Sequence, residues 1–188
     1  MDALDLLIAD HNRVRGLFAR FKKAKESDDA STMHSIAPIV FEELEVHTTI
    51  EEQVFYPWAH DLSDEVGDLV DEGVQEHHVV KMLMEELQAL ESGADEWVAK
   101  MTVLIENVEH HAEEEESEMF PKTRSNTSAN DRATLAEQLE AKKKALGAPT
   151  LADKIDLTDS ELRELAKEQE IPGRSKMDHE HLAATVRV

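Results

Sequence analysis

Six side chains in this sequence have the types and spacing needed to hold a metal ion: His11, His47, Glu51, His77, His111 and Glu115. Two of the histidines are followed four residues later by a glutamate, His47 by Glu51 and His111 by Glu115. On a helix that spacing stacks imidazole and carboxylate on one face, one turn apart. The surrounding residues repeat as well. His47-Thr48-Thr49-Ile50-Glu51-Glu52 with Phe55-Tyr56-Pro57 matches His111-Ala112-Glu113-Glu114-Glu115-Glu116 with Met119-Phe120-Pro121 at His, at both glutamates, at the aromatic before proline and at the proline. Another histidine precedes each block, His11 by 36 residues and His77 by 34.

The elements that must position these groups follow from hydrophobic spacing. Stripes at alternating steps of three and four read Leu4, Leu7, His11, Val14, Phe18, Phe21 in a first helix, and Val66, Val70, Gly73, His77, Val80, Met84, Leu87 in a third. A fourth reads Trp97, Met101, Leu104, Val108, His111, Glu115. The second is less regular, with Ile36, Val40, Glu43, His47, Glu51, Val54 and Trp58. A single histidine on an apolar face is usually a core residue whose nitrogens find ordinary partners. Four of them on four stripes, with two carboxylates, are another matter, because an uncompensated buried carboxylate costs several kcal/mol. A cation cancels that cost, and iron, zinc or manganese would each accept this donor set. Two hairpins of one plan give each metal a comparable set, with the two carboxylates placed to bridge a dinuclear centre.

Expected boundaries come from caps and breakers. Asp2 with Asp5 caps the first helix, which runs to Glu26. Ser31 caps the second, which Pro57 ends near Tyr56. Ser63 starts the third, running to Gly93, and Ala94 or Asp95 starts the fourth, stopped by Pro121 and a polar loop from Thr123 to Asp131. Short connections make consecutive helices antiparallel neighbours. The expected fold is therefore all-α, an antiparallel up-down four-helix bundle over residues 1–122 with a C-terminal helical extension. The extension comprises an amphipathic helix or linker at 130–147 and a small helical tail at 155–188, with caps at Thr158 and Asp178.

Composition narrows the chemistry. In 188 residues there is no cysteine, which removes disulfides, thiolate nucleophiles, iron-sulfur clusters and cysteine zinc sites. The net charge of −22, from 42 acidic and 20 basic residues, repels nucleic-acid phosphates and anionic membrane surfaces. No apolar stretch approaches a membrane span, and the N-terminus lacks the pattern of a leader, so a soluble cytoplasmic protein is expected. Glu52 and Glu116 lie about a third of a turn off the stripes and read as solvated or supporting groups. His34, His60, His179 and His181 read as solvated.

Asp10-His11, His47-x3-Glu51-Glu52, Glu76-His77-His78 and His111-x3-Glu115-Glu116, with the two aromatic-proline endings, resemble the hemerythrin-like, or HHE cation-binding, family. The resemblance implies two iron ions in a carboxylate-bridged centre, with an oxo or hydroxo bridge. It also implies reaction with dioxygen, hydrogen peroxide or nitric oxide, or a role in sensing oxygen or iron. As an enzyme the protein would decompose peroxide or act as a nitric oxide peroxidase-type oxidoreductase. Ferritin-like sites use Glu-x-x-His, and no glutamate stands three residues before any histidine here. Oxygen-carrying hemerythrins have a further histidine one turn from the position of His77, where this chain has Gly73 and Lys81. Tyr56 is the first candidate for the missing ligand or a supporting donor, with His78 and His110 next; an aromatic plug is the other reading of Tyr56. The segment Leu157 to Asp178 resembles the module near the start of transcription terminator Rho and in SAP-like segments. With five basic residues against seven acidic from Leu157 to Val188, it reads as a helical appendage or protein contact rather than a DNA contact. A metal-free helical adaptor acting through this tail is the structural alternative.

Overall fold

A computed structural model describes residues 1–150 and 157–187. Of the expected tail, residues 155, 156 and 188 lie outside the described residues. The described chain is all-helical, with no strand among the described residues. No helix among them is long and apolar enough to cross a membrane.

Helix α1 spans Ala3–Glu26 and opens with a capping box. Asp2 accepts from the backbone N–H groups of Leu4 and Asp5, while the Asp5 carboxylate accepts from the Asp2 N–H. Helix α2 spans Ala30–Ile50 and is capped by Asp29, not Ser31. The Asp29 side chain takes the Thr32 N–H at 3.0 Å because the turn after α1, with Asp28 at φ 54°, already delivers the chain two residues earlier.

The prolines do not stop the helices where expected. After Ile50 the chain makes a π-helical turn, Glu51–Phe55, then a short α3, Tyr56–Ala59, and a 3-10 turn, His60–Leu62. The Tyr56 N–H reaches back five residues to the Glu51 carbonyl. The wider turn places Pro57, which has no N–H to donate, where the hydrogen-bond ladder changes step, so the helix passes through it. The same device recurs downstream. Helix α4 spans Asp64–Ala89, with Ser63 as its cap, and ends four residues short of Gly93. Helix α5 spans Asp95–Glu114, Glu115–Met119 forms a second π turn, and α6, Phe120–Asn126, carries Pro121 in its first turn. The polar loop expected from Thr123 to Asp131 thus shrinks to Thr127 and Ser128, because the Ser128–Asp131 capping box starts α7, Ala129–Ala145, at once.

The stripes of the first, third and fourth expected helices are buried throughout. In the second, the π turn moves the buried face to Phe55, Tyr56 and Ala59, leaving Val54 and Trp58 half-buried. One apolar cluster draws on α1, α2, α4 and α5, around Phe18, Phe21, Leu44, Leu87 and Leu104. A second, at the other end of these helices, joins Leu4, Leu7, Ile50, Phe55 and Phe120 to Leu135, Ala136 and Leu139 of α7. The site lies between the two clusters in sequence along each helix.

The tail forms α8, Asp159–Glu168, a 3-10 turn Arg174–Lys176, and α9, His179–Thr185, about its own cluster of Leu162, Ala166, Ile171 and Leu182. It docks on α1. A Cβ on Gly16 would lie 2.5 Å from the Gln169 carbonyl oxygen and 2.8 Å from Ile171 Cδ1, so glycine is what lets the tail backbone approach.

If α7 is an integral wall, Leu139→Ala leaves a cavity and lowers stability by about 2–5 kcal/mol. Urea unfolding of the metal-free protein measures this; a loss under about 1 kcal/mol would mark α7 as peripheral.

Candidate metal centre

The six residues singled out by spacing come together, and each is at most 5% exposed. His11 comes from α1, His47 from α2, His77 from α4 and His111 from α5, while Glu51 and Glu115 each open a π turn. Nε2 of His11 lies 3.1 Å from Nε2 of His47, and Nε2 of His77 lies 3.1 Å from Nε2 of His111. Each carboxylate spans the two pairs. Glu51 Oε2 is 3.2 Å from His47 and 3.3 Å from His77; Glu115 Oε2 is 3.3 Å from His11 and 3.7 Å from His111. The ligand atoms form two groups, His11, His47, Glu51 and Glu115, and Glu51, His77 and His111, with Glu51 in both.

The opposite ring nitrogens fix the imidazoles. Nδ1 of His11 faces Glu116 at 2.8 Å, that of His77 faces Glu52 at 3.0 Å, and that of His111 faces Glu76 at 2.6 Å. The fourth, on His47, faces Asp10 at 3.8 Å. With Nδ1–H of His77 given to Glu52 and that of His111 to Glu76, Nε2 is left as a bare acceptor in both rings, so two acceptors meet at 3.1 Å. Both Glu51 oxygens and Glu115 Oε2 also lack a hydrogen-bond donor. Lone pairs aimed at lone pairs in a buried space are what a cation requires, and carboxylates behind the rings are the usual support for histidine ligands.

Burial opposes a charge on His11, but the Glu115 and Glu116 carboxylates beside it raise its imidazole above the ordinary value, so a cation has to displace a proton there. His47 and His77 are different. Burial, then the neighbouring His111, pushes the His77 imidazole down to about 2, and burial pushes His47 down to about 4, so both rings are neutral and able to ligate. Burial and the nearby Glu115 hold the Glu51 carboxyl well above its usual range. Burial also opposes ionisation of Glu115, but the attraction of His111 and of the nearby His11 imidazole keeps it below the ordinary value. A cation between the two carboxylates removes the repulsion that protonates Glu51.

Asp10 is held ionised against its burial by Lys143 Nζ at 2.6 Å and by Arg13. Thus a lysine of α7 supports the acid behind His47. Spacing did not reveal Lys143. It did leave a signal for the supporting acids: Asp10 and Glu76 directly precede His11 and His77, and Glu52 and Glu116 directly follow Glu51 and Glu115. Arg15 and Lys81, one turn beyond His11 and His77, pair with Glu116 at 2.7 Å and with Glu52 at 2.6 Å.

Tyr56 reaches the same space. Its hydroxyl donates to Glu115 Oε1 at 3.0 Å and lies 3.4 Å and 3.5 Å from Nε2 of His77 and His111. Gly73 makes room for it, since a Cβ there would sit 2.8 Å from the phenol oxygen. The residue one turn before His77 is therefore the one that admits Tyr56. In the other half, Leu7 precedes His11 and Phe120 stacks on its ring at a centroid distance of 6.0 Å, as Tyr56 stacks on His77 at 5.4 Å. His78 and His110 are exposed and do not join the buried group.

The family described as Hemerythrin HHE cation binding domain matches residues 2–123. A DNA nickase of Nostoc sp. is 29% identical over 143 residues, 76% of this chain and 39% of that protein. An uncharacterized hemerythrin-like protein of Schizosaccharomyces pombe is 25% identical over 141 residues, 74% of this chain and 68% of that protein. The chain thus spans about two fifths of the nickase and two thirds of the yeast protein. No solved structure gives a significant match.

Because Glu51 is disfavoured as an anion without a cation, Glu51→Gln under chelation should melt no lower than wild type, while its gain in melting temperature on adding iron should shrink. Melts with and without chelator check both halves; a weakened metal-free fold with an undiminished response to iron would contradict the assignment.

Proposed function

The chain belongs to the hemerythrin HHE cation-binding family, and from that premise we propose that it is a non-haem di-iron protein that binds or turns over a small oxygen or nitrogen species. The observation that carries the reading is the shared position of Glu51, common to both groups of inward-facing ligand atoms. His11 and His47 would hold one iron, His77 and His111 the other, and Glu51 and Glu115 would bridge them. The helices around this centre are read as the antiparallel up-down bundle expected from the two equivalent hairpins.

Iron in such a centre supplies a site for electron transfer to and from peroxide, dioxygen or nitric oxide. The chain's own residues do the rest. Glu52, Glu76, Glu116 and Asp10 orient the rings, and Phe120 and Leu7 close the His11 side against water. Gly73 stands one turn from His77, where an oxygen carrier of this family has a histidine, and the Tyr56 hydroxyl lies against it with its proton on Glu115. This substitution supports peroxide or nitric oxide chemistry over reversible oxygen carriage. The two halves differ at the point where an exogenous molecule would meet the metal, one lined by a phenol and the other by apolar groups. The tail, packed on α1 through Gly16, is read as a protein contact; the acidic surface supports no role on nucleic acid.

Protein purified from iron-supplied cells is expected to carry two irons per chain by elemental analysis and to consume hydrogen peroxide. Glu51→Ala and Glu115→Ala should lower iron affinity at least about tenfold. Tyr56→Phe should keep the iron while changing the visible spectrum and the rate of peroxide loss. Protein that retains no iron, or whose iron is indifferent to Glu51, would sink the reading.

A further inference from the structure

Above the buried centre, on the Tyr56 side, a narrow cleft is lined by Leu69, Glu72, Gly73, Glu76, Glu114 and Met119, with His111 and Glu115 also in its lining. Its accessible volume is about 10 Å³, room for one water. Glu115 is 1% exposed, and its Oε2 has no hydrogen-bond partner, so an unsatisfied carboxylate oxygen belongs to a residue lining this opening. At the rim, Glu76, His110 and Glu114 place one ligand atom each within 4.8 Å of one another. Their side chains grade outward, 23% exposed at Glu76, 35% at Glu114 and 65% at His110.

The internal repeat supplies a comparison. In the other half, the positions of Glu72, Gly73, His110 and Glu114 are held by Leu6, Leu7, Val46 and Ile50. Those residues belong to the apolar cluster that Leu135 and Leu139 of α7 complete, and Lys143 neutralises Asp10, the counterpart of Glu76. One mouth is apolar and roofed by a helix. The other is acidic, carries an imidazole and opens beside Gly73. The fold needs neither the histidine nor the crowd of carboxylates at that rim, since like charges at such spacing repel.

We propose that Glu76, His110 and Glu114, beside Glu72, form an outer cation site through which a divalent metal ion is taken up into the buried centre over Gly73. The inference rests on the di-iron reading. Glu76 has a double role, because its Oε2 also fixes His111 at 2.6 Å, so an ion at the rim and the ring of an inner ligand share one carboxylate. The ion is passed from oxygen and imidazole donors at the rim to donors of the same kind inside, along a cleft that Leu69 and Met119 also line. An acidic mouth also raises the local cation concentration and the capture rate.

The test is the rate of iron(II) uptake by the metal-free full-length chain, followed by absorbance after rapid mixing, with final iron content measured separately. His110→Ala combined with Glu114→Gln is expected to slow uptake roughly tenfold and to leave the final content unchanged. Glu113→Gln, an exposed neighbour outside this cleft that removes the same charge, should load within about twofold of wild type. Unchanged uptake in the double variant, or equal slowing in Glu113→Gln, would overturn the outer site while leaving the buried centre standing. A lower final content at an unaltered rate would also overturn it, by making these residues part of the centre itself. Wild-type protein that takes up no iron would overturn the di-iron reading and this one together.

Discussion

Two carboxylates and four imidazoles are buried here with their acceptor atoms pointed at one another. In a core where polar groups are normally paired, three carboxylate oxygens without donors and the 3.1 Å contact between Nε2 of His77 and Nε2 of His111 are a concentrated electrostatic cost. Apolar packing above and below the site has to offset that cost whenever no cation is bound. The supporting acids make the arrangement firmer: by taking the Nδ1 protons of His77 and His111, they hold the opposite nitrogens as acceptors toward the centre, and Glu116 fixes the ring of His11 in the same way. Glu116 and Glu52 are in turn held by Arg15 and Lys81, and Asp10 behind His47 by Lys143, so the inner geometry is tied to charges on several elements.

The π turns follow from the same constraint. Each begins at a buried glutamate and is followed by a proline, and each keeps the chain helical up to and through that proline, so that the apolar residues just before it close the site. In one block those residues are Phe55 and Tyr56, in the other Met119 and Phe120. The repeat is therefore structural as well as sequential, and its departures carry information. Leu7 and Phe120 seal one side; Gly73 and Tyr56 leave a phenol and a cleft on the other. Helix α7 covers the sealed side, and its Lys143 completes the charge balance of Asp10 there.

The sequence by itself determined the helical class, the buried stripes of α1, α4 and α5, and the six residues that meet at the centre. These are consequences of local periodicity, since steps of three and four fix which side chains share a face whatever the rest of the chain does. Cap positions were nearly as local, and failed by two residues at Asp29 because the left-handed turn at Asp28 set the start of α2. The tertiary structure decided what depends on distance in space. It placed Glu52 behind His77 and Glu116 behind His11, each reaching from one half of the repeat to the other, which no spacing along one helix encodes. It brought Lys143 to Asp10 across 133 positions of chain. It also gave Gly73 its meaning, for the missing side chain that looked like a lost ligand is the space in which the Tyr56 hydroxyl lies, and only packing between two helices defines such a space.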